Sequence, residues 1–140
     1  MTIYNIAEAS FQLHGEWVDE TTNMLKTPAP DGSFVTIIIH RLPRDGRSMA
    51  EYGEYFFNEQ RRSLQGFNLL GRRPVAVDGM EGEEAVFQWV HPESLMHHHV
   101  FLFPIGTRIL SVVASARAKF SAGCEELVMS WLSSLRWRRS

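Results

Sequence analysis

One cysteine, Cys124, is present in the whole chain, so no intrachain disulfide can form. No apolar run reaches the length of a membrane span, and the longest are strand-sized. The opening Met-Thr-Ile-Tyr-Asn-Ile has neither the charged start nor the long apolar core of a signal peptide. These absences together predict a soluble protein of the cytoplasm. An excess of positive charge is also missing: the formal net charge is −2 and the pI about 6.3, which leaves no field for nucleic acid. Only the end is basic, at Arg136, Arg138 and Arg139, where cations suit a helix C-terminus. There is no low-complexity tract and no fixed-period repeat, and 140 residues fit a single domain spanning 1–140.

Catalytic signatures are equally scarce. Neither a glycine-rich phosphate loop nor a G-x-S-x-G elbow occurs, and Cys124 reads as a small apolar helix residue. His97-His98-His99 is the conspicuous run. On a strand, His97 and His99 share a face about 7 Å apart, but a stable metal site needs three or four ligands, and no partner motif supplies them. They read as partly exposed strand histidines. Glu81, Glu83 and Glu84 read as a solvated hairpin end, and Gly71-Arg72-Arg73-Pro74 as a polar strand edge. No catalytic residue, cofactor or metal is expected, so the chain does not read as an enzyme.

What is present is mostly strand. Tyr4–Ala7 and Ser10–Leu13 form a short pair, Thr21–Lys26 and Phe34–Arg41 a hairpin around Asp31-Gly32. Ser48 with Glu51 is a capping-box pattern opening a helix to about Gln65, with Met49, Tyr52, Phe56 and Leu64 near one stripe. Phe67–Arg73 and Pro74–Val77 read as two strands, and Glu84–His91, Met96–Phe103 and Thr107–Ser115 as a meander. A second helix from near Ser121 carries Cys124, Leu127, Val128, Trp131, Leu132 and Leu135. The order predicts an α+β domain: an antiparallel sheet flanked by two main helices.

That sheet is too apolar for its cover. Strands exposed on one face alternate, yet Ile37-Ile38-Ile39 and Val100-Phe101-Leu102-Phe103 do not. Two helices most naturally cover one face. With Val35, Ile37 and Ile39 turned to the helices, Phe34, Thr36, Ile38 and His40 point away, with Thr22, Met24 and Lys26 across from them. Long loops, a homodimer partner or a second sheet layer would close such a face; so would another chain's apolar segment seated in a groove.

Several short stretches in order carry a family likeness. Met1-Thr2-Ile3-Tyr4, Glu8-Ala9, Trp17-Val18-Asp19, Asn23-Met24-Leu25-Lys26 and Pro28-Ala29 are followed by Ser33-Phe34-Val35, Ala50-Glu51-Tyr52, Gly66-Phe67, Phe87-Gln88-Trp89 and Val100-Phe101. Over nearly its whole length the chain resembles the effector-associated adaptor chaperones of bacterial type VI secretion, within the DcrB-like group. The resemblance implies a PsbP/Mog1-type fold and a homodimer with a cupped apolar face. It implies that the cup shields the N-terminal transmembrane helices of a PAAR- or Rhs-type effector in the cytoplasm until loading on the secretion spike. The positions matching the family's cup are Thr22, Met24 and Ile38, and His99 falls where a polar residue is tolerated. Thr22 departs from the apolar pattern. The alternative is a homodimeric structural domain, or one binding a small apolar ligand, with the same fold; a hydrolase or metal protein built on the histidines trails both.

Overall fold

The computed structural model describes residues 1–138, so the predicted role of Arg139 lies outside the described residues. A small hairpin, β1 (Thr2–Asn5) with β2 (Ser10–Leu13), precedes the main sheet and pairs with no other described strand. The sheet itself has six antiparallel strands: β3 (Asn23–Pro28), β4 (Phe34–Pro43), β5 (Asn68–Val77), β6 (Met80–Val90), β7 (Leu95–Ile105) and β8 (Arg108–Arg117), in the spatial order β3-β4-β8-β7-β6-β5. Helix α1 (Met49–Ser63) connects β4 to β5, and α2 (Ser121–Ser133) follows β8 after a short 3₁₀ turn. The α+β class and the two-helix count are as the sequence predicts.

Local chemistry sets most boundaries. Ser48 accepts from the Glu51 amide while the Glu51 carboxylate accepts from the Ser48 amide, both at 3.1 Å, so two free N–H groups of α1 are satisfied. Asp78 and Gly79 both have positive φ, as the tight β5–β6 turn requires. The two strands predicted at 67–73 and 74–77 are one, with a bulge between Leu69 and Gly71. Pro74 is tolerated because β5 is an edge strand, where a missing N–H breaks no outer ladder bond. Strand β3 begins at Asn23, so Thr22 lies just before it.

The helices do not share a face. On one side, Cys124, Val128 and Leu132 of α2 pack on Ile37, Phe101, Phe103, Val112, Ala114 and Ala116. On the other, Tyr52, Phe56 and Phe57 of α1 pack on Ala85, Phe87, Val100, Leu102 and Ile109. This corrects the expectation of one-sided cover. It also explains the unbroken run Val100–Phe103, which is buried on both faces because β7 lies between two helices. Arg136 follows the helix and donates to the carbonyls of Ser133 and Leu135, satisfying its C-terminal end.

Candidate functional site

Six strands are wider than one helix, and α1 sits towards the β6–β7 side of its face. Pairing places Met24 opposite Ile38, Ile38 opposite Val113 and Val113 opposite Val100, so these four make one row across the sheet on the α1 face. Val100 is under α1, whereas Met24 and Ile38 belong to neither core. Met24 is 56% exposed and Phe34, further along the same face, 49%. Ile38 and Val113 are half-buried. The result is an apolar trough over β3, β4 and β8, with α1 beside it.

Polar rows border the apolar one. Lys26, Thr36, Ser115 and His98 lie on one side; His40 and Ser111 lie on the other. Lys26 Nζ rests 5.2 Å from the centre of the Phe34 ring, placing a cation at that end of the trough. Thr22 reaches the border through a 3.2 Å hydrogen bond between its hydroxyl and His40 Nδ1. Trp89 donates from Nε1 to His98 Nε2 at 3.0 Å. Burial, with His97 nearby, lowers the His98 imidazole to about 4, in keeping with a neutral ring that accepts the indole proton.

Three of the four sequence-derived contact residues therefore meet: Met24 and Ile38 in the row, and Thr22 on its rim. His99 does not join them. It pairs with Ala114 on the α2 face and is only 3% exposed, because side chains one residue apart on a strand point to opposite faces. His99 donates through Nε2 to Glu84 at 2.7 Å, and Arg73 binds the same carboxylate at 2.9 and 3.1 Å. Burial alone raises the Glu84 carboxyl, but hydrogen bonds from Arg73 and His99 hold it below its ordinary value. The expectations of partly exposed histidines and solvated glutamates hold for His98 and Glu81 and are corrected for the others: His97, His99 and Glu84 are buried, and Glu83 pairs with Arg72 at 2.5 Å. Among the described residues, no three His, Cys, Asp or Glu side chains are grouped to hold a metal ion. Cys124 is fully buried, and burial pushes its thiol up to about 11, as fits a packing residue.

Sequence reasoning missed the contribution of the N-terminal hairpin. It carries exposed Ile3, Ile6 and Phe11, with Trp17 and Val18 exposed just after it. Tyr4, Phe11, Leu13, Trp17 and Val18 help line an open cleft of about 800 Å³. The hairpin is tied to the body where the Tyr4 hydroxyl meets the Thr21 hydroxyl at 3.0 Å, and Arg108 holds the Asp19 carbonyl at 2.6 Å. Apolar content there was visible in the sequence, but its exposure depends on having no helix above it.

The fold recurs in solved structures. Protein PA94 of Pseudomonas aeruginosa, of unknown function, superposes with a TM-score of 0.85 at 17% identity, over 99% of this chain and 98% of that one. LpqN, involved in cell envelope biogenesis of Mycobacterium tuberculosis, gives 0.59 at 12% identity over 87% and 85%. The cyanobacterial PsbP protein of Synechocystis sp. PCC 6803 gives 0.53 at 11% over 91% and 98%. No functionally curated protein matches in sequence. No described helix is long and apolar enough to cross a membrane. The DcrB family model matches residues 8–134, the whole six-stranded sheet and both helices, and the chain belongs to the DcrB family.

Proposed function

We propose that this protein is a non-enzymatic adaptor chaperone, acting in the cytoplasm as a homodimer, that shields the N-terminal transmembrane helices of a type VI secretion effector of the PAAR or Rhs type. The observation that carries the reading is the Met24–Ile38–Val113 row, an apolar strip in which Met24 is exposed, Ile38 joins neither core and Val113 meets the edge of the α1 core. A transmembrane helix of about 20 residues is roughly 30 Å long. Strand β4 has ten residues and extends roughly 33 Å. Such a helix laid along β4 would meet Phe34 and Ile38 on this face, with the polar Thr36 between them and His40 beyond. Each Å² of apolar surface removed from water is worth about 25 cal/mol, so shielding even one side of a membrane helix is strongly favourable. The bordering Thr36, Ser115 and His98 give the occupant polar contacts beside its apolar stripe.

Co-expression with the N-terminal transmembrane segment of such an effector tests the reading. A soluble complex is expected, and Ile38→Gln should abolish it while leaving the chaperone folded. A segment that stays insoluble with the wild-type protein defeats the proposal. The apolar cleft beside Trp17 favours a second reading, a domain of this fold that takes a small apolar ligand. In that case a solvatochromic apolar dye is displaced by Trp17→Ser and not by Ile38→Gln.

A further inference from the structure

The α2 face contains a buried polar cluster that the trough does not use. His97 is 1% exposed, and neither of its ring nitrogens has a hydrogen-bond partner among the described residues. Buried polar atoms without partners are uncommon and costly, so the position calls for a physical reason. The ring lies beneath α2 with Nε2 3.7 Å from Glu125 Oε1, too far for a hydrogen bond. Its strand neighbours are Gln88 on β6 and Ala116 on β8. The remaining ionisable groups are nearby. His99 shares its face, Glu84 on β6 is already bound by His99 and by Arg73 of β5, and Cys124 of α2 stays a neutral thiol. Among the described residues, Glu125 is the single carboxylate free to answer a charge on His97, and its side chain is about half in water.

Above His97 is the N-terminal end of α2, which has no side-chain cap. The residue before the helix is Phe120, and the first turn has no acidic residue. The N–H groups there carry the positive end of the helix dipole, which disfavours a second positive charge below.

We infer that His97 makes α2 an acid-releasable cover of this face: the neutral imidazole lets the helix seat, and the imidazolium lifts its N-terminal half so that water can reach the ring. The sign follows from the surroundings. Burial holds the His97 imidazole below its ordinary 6.5, with His99 adding to the effect and Glu125 partly offsetting it. The seated state is therefore fully favoured above pH 6.5 and loses ground as the pH falls below it. The open helix is a subglobal state, reached without unfolding the α1 side.

Amide hydrogen exchange on the full chain, corrected for intrinsic rates, tests this at about pH 7.5 and about pH 5.5. Opening of the Cys124–Leu132 amides should be more frequent at the lower pH, by up to about tenfold, with α1 amides unchanged, and His97→Gln should abolish the difference. No acceleration in wild type, equal acceleration in α1 and α2, or an unaltered response in His97→Gln each overturns the inference. If His97→Gln does not fold, a wild-type NMR titration decides. The α2 amide shifts must then follow the His97 ring with one midpoint below 6.5, and independent midpoints overturn it.

Discussion

Replacing Ile38 by glutamine separates binding from folding, because the side chain is only partly buried in the free protein. Burying an isoleucine completely is worth about 1.5–3 kcal/mol, and the roughly two thirds or more already buried contributes about 1–2 kcal/mol to the fold. The variant should therefore unfold about 3–7 °C below wild type. Docking a helix on the trough buries the remainder, about a third or less. Losing that contact costs about 0.5–1 kcal/mol, and enclosing an unpaired amide adds about 1–3 kcal/mol. The sum of about 1.5–4 kcal/mol weakens Kd by roughly tenfold to nearly a thousandfold. Fluorescence anisotropy with a labelled apolar helical peptide flanked by lysines reads the affinity, and urea unfolding of the same sample reads the stability. Ile37→Gln is the control: that residue is 5% exposed on the α2 face, and its substitution should cost most of the fold. An Ile38→Gln protein that keeps its fold and binds the peptide within about twofold of wild type refutes the trough assignment.

Gly82→Ala places a methyl group against the Leu102 carbonyl and 2.7 Å from a ring carbon of buried Phe103, so it should destabilise by about 1–3 kcal/mol in urea; any gain in stability contradicts the close β6–β7 packing. Gly53→Ala would ordinarily stabilise a helix by about 1 kcal/mol. Here the added carbon meets the Glu83 carboxylate and lies 3.0 Å from Arg72 Nη2, so the melting temperature should fall, and a rise shows that the Arg72–Glu83 pair yields freely. His98 titrates at about 4 in the fold against 6.5 for an unperturbed imidazole, so its stabilising effect is complete above 6.5 and is lost as the pH falls towards 4, by up to about 3 kcal/mol. His98→Phe should accordingly flatten the acid limb of unfolding free energy measured between pH 7 and pH 4.5, and an unchanged limb means that the ring is not held neutral.

Elements governed by neighbours in the chain were legible in the amino-acid order. The capping pair Ser48 and Glu51, the Asp78-Gly79 turn and the separation of Ile37 from Ile38 onto opposite faces each rest on a few consecutive residues. So does the placing of Met24 across from the Ile38 side of the hairpin, while the residue-for-residue pairing of the two is read from the fold. Which face each helix would cover was not legible. An amphipathic stripe shows that a helix must bury one side, and it carries no information about which side of a sheet receives it. The strand histidines illustrate the same limit: their alternation was plain, but their burial depends on α2, more than twenty residues later.

The sequence by itself thus determined the strands, the caps and the surplus of apolar surface, since propensity, turn chemistry and periodicity are local. Only the tertiary structure decided that α1 and α2 take opposite faces. That choice buries His97 and His99 under one helix and leaves Met24 and Ile38 open beside the other, because six strands present more surface than a single helix can cover.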